Sequence, residues 1–160
     1  MSASPSERHE TEHERLDRQL DQLLNELRVA MPGVQVLFAF LLAVPFQQRF
    51  VSVTDFQKDV YFVTLLAAAA ASALFIAPTA YHRLMFRAGE KARLIEIGNR
   101  MAVAGLVALS IAMIGAVLLV TDVLFDGWTV VVTVVLTGTL FIGLWFALGA
   151  VRRIAKDRGR

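Results

Sequence analysis

Four runs of about twenty or more residues without a charged side chain constrain this chain more than any other feature. They cover residues 29–48, 60–81, 101–121 and 128–151. Because a helix rises about 1.5 Å per residue, each run is long enough to cross a hydrocarbon layer about 30 Å thick. A single strand would leave its backbone unpaired in lipid, so helices are favoured even for the Val- and Thr-rich fourth run. The sequence therefore predicts an all-α fold, a four-helix transmembrane bundle.

Basic residues lie almost entirely on one side of these runs. Of the 16 Lys and Arg residues, only Arg49 and Lys58 fall in the two loops that would share the other side. Segment 81–100 and the C-terminal tail 152–160 are both basic. The positive-inside rule then predicts a multi-pass protein of the bacterial inner membrane with both termini in the cytoplasm. The same charges predict contact with anionic lipid headgroups rather than with nucleic acid.

The N-terminal part is polar before the first run begins. Residues 1–14 form an acidic, Ser-containing tail for which we expect disorder. Residues 15–31 carry leucines at helical spacing and predict a cytoplasmic amphipathic helix. Such a helix can lie on the membrane surface, pack on the bundle or dock a partner. Pro32 and Gly33 predict a break between this helix and the membrane domain, residues 32–151.

Local signals mark several helix ends. Pro45 predicts a kink or an end near the close of the first span. Thr54 and Gln57 fit a capping box at the start of the second helix. Glu96 and Arg100 are spaced to form an ion pair on one helix face.

A stripe of alanines in the third run predicts close helix packing. Small side chains let two helix backbones approach in lipid, where the hydrophobic effect does not drive association. We expect this face to pack against the Ala-rich second span. The helix-packing face consists of Ala104, Ala108, Ala112 and Ala116.

A few polar residues in or beside the spans are candidates for a function. For most of them, hydrogen bonding within or between helices competes with a polar pathway. His82 could instead anchor the helix at the interface, bind headgroups or respond to pH. The middle of each span lacks an ionisable residue, which disfavours a self-contained ion antiporter. The candidates are Gln35, His82, Ser110, Thr133 and Thr137.

One segment matches a zinc-site pattern. His9-Glu10-Thr11-Glu12-His13 has the H-E-x-x-H spacing that places two imidazoles on one helix face. A zinc peptidase also needs a third ligand and a dry cleft, whereas this segment lies in a polar tail. The chain has no cysteine. We therefore assign no catalytic residue, metal or cofactor.

Three stretches resemble a known group of proteins. They are NELRVAMPGVQVLFAFLLAVPF at 25–46, IAPTAYHRLMFR at 76–87 and GAVLLVTDVLF at 115–125. They are similar to a family of small four-span bacterial membrane proteins of unknown function, common in actinobacteria. Some relatives carry the name "sodium:proton antiporter". The resemblance implies the four-span fold and a transport label, and it supplies no site residues.

These observations lead to one leading hypothesis and two alternatives. The leading hypothesis is a non-enzymatic membrane protein that acts through helix–helix partners or as a homo-oligomer. The first alternative is a small oligomeric transporter, such as a sodium/proton antiporter, using the polar face of the first and fourth spans. The remote alternative is a zinc peptidase built on residues 9–13.

Overall fold

The computed structural model describes residues 12–85 and 91–147, and all regular secondary structure in them is helical. Four helices are long and apolar enough to cross a membrane, the fourth together with the π-helical turn that follows it. This confirms the predicted all-α class with four spans, and it identifies a membrane protein. The helices are α1, Glu12–Ala43; α2, Asp55–Met85; α3, Lys91–Leu124; and α4, Trp128–Ile142.

Shorter helical turns complete the described chain. Two 3₁₀ turns, Val44–Phe46 and Gln48–Ser52, connect α1 to α2. A π-helical turn, Gly143–Ala147, continues α4. The acidic tail up to residue 11, the centre of the basic loop at 86–90 and the C-terminal tail lie outside the described residues.

The predicted break at Pro32 and Gly33 is wrong, because α1 continues through both residues. A proline removes one backbone donor, and neighbouring helices can hold the surrounding turns in place. Leu27 and Val34 lie on either side of the break point, and both are buried in one cluster with Phe75 of α2. Packing on α2 thus keeps the amphipathic segment and the first span in one rod. The helix ends at Ala43, as expected from Pro45.

The buried positions of α1, α2 and α3 repeat every seven residues. This spacing is typical of helices that pack along a left-handed seam. Two buried clusters follow each other along the three helices, one around Phe75 and one around Ala68. The repeated positions are Leu20, Leu27, Val34 and Leu41 in α1; Tyr61, Ala68 and Phe75, with Thr64, Ala71 and Pro78, in α2; and Gly98, Gly105 and Ala112 in α3.

Three glycines of α3 lie so close to side chains of the neighbouring helices that an added methyl group would collide with them. A Cβ on Gly105 would lie 2.5 Å from the Phe75 ring, and one on Gly98 would lie 2.8 Å from Leu23. A Cβ on Gly115 would collide with Thr64. Sequence reasoning missed Gly98 and Gly105 because it considered alanine at four-residue spacing, whereas these buried residues follow a seven-residue repeat.

The alanine face itself is only partly used within the chain. Ala112 is fully buried and shares a cluster with Ala68, so α3 packs on α2 at this position. Ala108 and Ala116 are half-buried. Ala104 is exposed within the single chain, so helix packing through it stays a prediction. The face of α3 that packs on α2 contains Gly98, Gly105 and Ala112, and Ala104 lies outside this face.

Helix α4 is peripheral. It packs mainly on α3 and contains no buried residue. A Cβ on Gly138 would lie 3.8 Å from the Ile114 side chain of α3, which is an ordinary van der Waals distance. The described part of the bundle is therefore a three-helix core with a fourth helix on its outside.

The three core helices are longer than a hydrocarbon layer. They contain 32, 31 and 34 residues, or about 46–51 Å at about 1.5 Å per residue. The additional length lies at the end formed by residues 12–28, 81–85 and 91–100, here called the basic end. There Leu20, Leu23 and Leu94 are buried while charged neighbours stay exposed. The segment predicted as an amphipathic helix thus packs on the bundle. Arg100 and Glu96 form the expected ion pair, 2.6 Å apart, on the exposed side of α3.

Gly105→Ala should destabilise the protein by about 1–3 kcal/mol, because the added methyl group overpacks the space occupied by the buried Phe75 ring. Thermal unfolding followed by helical circular dichroism in detergent measures this change. Gly143→Ala is the matched control, since a Cβ there meets nothing within 4 Å. Equal melting temperatures for the two variants would contradict the packing of α3 on α2.

Candidate functional site

The predicted polar residues do not gather at one place in the described chain. Ser110 is buried in α3 and donates to the carbonyl of Leu106, 2.9 Å away. Thr133 donates to the carbonyl of Thr129 at 2.9 Å, and Thr137 is half-buried on the same helix. The bond of Thr133 matches the expected hydrogen bonding within its own helix, whereas Ser110 bonds within α3 and not to another helix as expected. A polar pathway through them stays a prediction.

Two further candidates differ from these hydroxyls. Gln35 is exposed on α1, and its amide makes no side-chain hydrogen bond to the described residues. His82 lies on α2 near the basic end, and its side chain is outside the described residues. Ser72 has a buried hydroxyl without a partner in the described part of the chain. Of the three, Gln35 is the polar side chain exposed on a span.

The zinc-site pattern falls mostly outside the described residues. Helix α1 begins at Glu12, so His9, Glu10 and Thr11 precede it. Within residues 12–85 and 91–147, no three His, Cys, Asp or Glu side chains come close enough to hold a metal ion. Zinc binding at residues 9–13 stays a prediction.

A network of polar hydrogen bonds lies at the end of the bundle opposite the basic end. We call this end the short-loop end; it comprises residues 44–59 and 121–128. The backbone nitrogen of Thr54 donates to Gln57 Oε1 at 3.0 Å, and the Gln57 nitrogen donates to Thr54 Oγ1 at 3.2 Å. This confirms the predicted capping box. Gln57 Nε2 also donates to Asp122 Oδ2 at 2.8 Å, which connects the start of α2 to the end of α3.

Tyr61, in the second turn of α2, also stabilises the short-loop end. The hydroxyl of Tyr61 donates to the carbonyl of Leu41 at 3.1 Å. That carbonyl belongs to the last turn of α1, where no intrahelical donor is left for it. The Tyr61 ring meets Phe50 edge-to-face, with ring centroids 5.3 Å apart. Tyr61 therefore fixes the end of α1 and the connecting turns against α2.

Two adjoining cavities open between these elements, and together we call them the short-loop cleft. Each has a volume of about 380 Å³. The first has a polar wall that includes Gln47, Ser52, Thr54, Gln57 and Asp122. The second is almost entirely apolar and runs between α1 and α3 from Leu37 to Leu124. Their shared wall residues are Val44, Phe50, Val53, Gln57 and Val123.

Comparison with known proteins gives the family. Residues 9–149 match the sequence pattern of DUF6328, which is described as a family of unknown function. The chain belongs to DUF6328. The matched region includes all four spans and the short-loop cleft. No curated protein and no solved structure matches the chain.

Sequence reasoning missed the cleft because its parts are distant along the chain. Gln57 and Asp122 are 65 residues apart, and Gln57 had a sufficient local explanation as a capping residue. The sequence does show that Gln57 and Asp122 are polar residues at the same predicted membrane boundary, since Asp122 directly follows the third uncharged run. Pairing boundary residues of adjacent spans would have suggested the contact.

Gln57→Ala should lower the free energy of unfolding by about 1–2 kcal/mol, because it removes the reciprocal cap and the bond to Asp122. Chemical or thermal unfolding in detergent measures it. Gln48→Ala changes an exposed amide in the same connection and should stay within about 0.5 kcal/mol. Gln57→Glu keeps the cap but places a carboxylate against Asp122, so it separates the two contributions. Equal losses for Gln57→Ala and Gln48→Ala would contradict the role of Gln57.

Proposed function

We propose that this member of DUF6328 is a non-enzymatic membrane protein that acts by helix–helix association, and that its first partner is a second copy of itself. The single observation that carries the proposal is the exposed Gln35 on α1. An unpaired amide in hydrocarbon costs about 2–7 kcal/mol relative to water, whereas an amide paired across helices avoids most of this cost.

Depth supports this reading of Gln35. Tyr61 and Tyr81 stand near the two ends of the apolar part of α2, where aromatic rings meet membrane interfaces, and Ala71 lies midway between them. Val34 packs in the same buried cluster as Ala71. Gln35 follows Val34 directly and therefore lies within about one helical turn of the middle of the bilayer. Water is not available there to satisfy its amide.

The surroundings of Gln35 suit a symmetric contact. It belongs to an exposed stripe whose members again repeat at three and four residues. Gly33 lies beside this stripe, and a Cβ there would meet nothing within 4 Å, so a second backbone can approach closely. The stripe consists of Arg28, Pro32, Gln35, Ala39, Leu42 and Phe46.

In a symmetric dimer, a single glutamine per chain can satisfy its own hydrogen bonds. A two-fold axis that passes beside Gln35 would place this residue opposite its own copy. A primary amide both donates and accepts, so two copies of Gln35 complete each other's hydrogen bonds. A carboxylate or an ammonium group could not pair with itself in this way.

The proposal includes location and topology. Basic residues concentrate at residues 81–100, at 152–160 and in the N-terminal part, which supports the bacterial cytoplasmic membrane with both termini in the cytoplasm. The basic end would then meet anionic headgroups of the inner leaflet. The long polar extension of α1 and α3 would lie in the cytoplasm.

Gln35→Leu should raise the dimer dissociation constant by about fivefold, corresponding to about 1 kcal/mol for an interhelical hydrogen bond. Förster transfer between labelled copies in liposomes, titrated against lipid dilution, measures it. Gln48→Leu is the control, since it makes the same change outside the spans in the exposed connection. Equal dissociation constants for Gln35→Leu and the unaltered protein would contradict the proposal. Protein-dependent sodium/proton exchange in the same liposomes would instead favour the transporter alternative.

A cysteine scan tests which face is used. The chain has no cysteine, so Ala39→Cys places a single thiol on the Gln35 stripe. Oxidation should give a disulfide-linked dimer, because this bond needs Cα atoms less than about 7 Å apart. Val135→Cys on the exposed face of α4 is the matched control. Linkage through Val135→Cys and not through Ala39→Cys would assign the contact to α4.

A further inference from the structure

The short-loop cleft combines two surfaces that one amphiphilic molecule would need. Its outer part contains polar groups beside apolar side chains, namely the Asp122 carboxylate with hydroxyl and amide groups of Ser52, Thr54 and Gln47. Its deeper part is apolar and is formed by side chains of α1, α2 and α3. Gln57 and Phe50 line both parts, so the two parts adjoin.

The orientation of the cleft matches that of a lipid. Thr54 and Asp55 begin α2, and Asp122 lies in the last turn of α3, so the polar part is at the helix ends. The apolar part reaches Leu37, about two turns down α1 from Val44. A bilayer lipid places its headgroup and its chains in the same order along the membrane normal.

Charge selects among lipids. Asp122 is half-buried and supplies a negative charge at the wall of the polar part. The nearby ammonium of Lys58 is held by Asp55 at 2.9 Å on the exposed side. A carboxylate at a partly desolvated site favours an ammonium group through charge-assisted hydrogen bonds and disfavours a second anion.

We propose that the short-loop cleft binds a phospholipid whose headgroup carries a primary ammonium, as in phosphatidylethanolamine. Asp122 receives the ammonium group, and the amide of Gln47 and the hydroxyl of Thr54 donate to the phosphate. One acyl chain lies along the apolar part, against Leu41 and Tyr61. Gln57 holds Asp122 in place through its 2.8 Å hydrogen bond.

The test is competition between two lipids on the purified full chain. Native mass spectrometry after incubation with equimolar phosphatidylethanolamine and phosphatidylglycerol counts the lipid retained on each protein molecule. We expect phosphatidylethanolamine to be retained about fivefold more, as for an ion pair worth about 1 kcal/mol at a partly exposed site.

Asp122→Asn should abolish this preference. The asparagine oxygen still accepts from Gln57, so the connection between α2 and α3 remains. Asp126→Asn is the matched control, because it removes an equal charge at the same end from an exposed residue that does not line the cleft. A preference that is absent in the unaltered protein, or equal in the two variants, would overturn the proposal.

A second pair of variants tests the apolar part. Val120 lines it and is 61% exposed, whereas Val135 on α4 is 60% exposed and lies elsewhere. Val120→Trp should fill the space and lower retention of both lipids at least threefold relative to Val135→Trp, since the indole would occupy the volume that the acyl chain needs. Equal retention by these two variants would overturn the placement of the chain, and circular dichroism verifies that all four variants are folded.

Discussion

The close contact between α3 and α2 supports the rest of this molecule. Gly105 lies against the Phe75 ring, and Gly115 lies against Thr64, with Ala68 and Ala112 packed between them. In lipid, association of helices depends on van der Waals contact and hydrogen bonds rather than on the exclusion of water. The glycines of α3 therefore contribute to stability, because without a side chain they let the backbones of α2 and α3 approach closely and make many van der Waals contacts.

The other two helices depend on this pair in different ways. Helix α1 lies against both α2 and α3 and contributes a buried residue every seven positions, from Leu20 to Leu41. Helix α4 contacts mainly α3 and buries no residue fully. The central pair thus presents one well-packed side and one loosely covered side. Both exposed surfaces used in the proposals, the Gln35 stripe and the short-loop cleft, involve α1.

Sequence patterns predicted features that depend on neighbouring residues or on chain-wide hydropathy. The four spans follow from uncharged length, and the Thr54–Gln57 cap follows from a three-residue spacing. The Glu96–Arg100 ion pair follows from a four-residue spacing. These features have causes within one helix, so no knowledge of the neighbouring helices was needed.

Features that depend on tertiary contacts were missed or wrong. Pro32 predicts a break by local propensity, but packing of Leu27 and Val34 on α2 keeps α1 continuous. The position of Ala104 outside the seam could not be read from small-residue spacing alone. The bond between Gln57 and Asp122 joins residues 65 positions apart, so it required the register of α2 against α3.

The continuity of α1 has a mechanical consequence. A helix without a hinge at the membrane boundary transmits its tilt to the part that extends beyond the bilayer. A bundle of stiff helices responds to a thinner or thicker hydrocarbon layer by changing its tilt as a unit. The polar extension of α1 packs on α3 where Leu23 meets Gly98. A change in tilt would therefore move this extension sideways, parallel to the membrane plane. Bilayer thickness would thereby set the position of the surface that the extension presents outside the membrane.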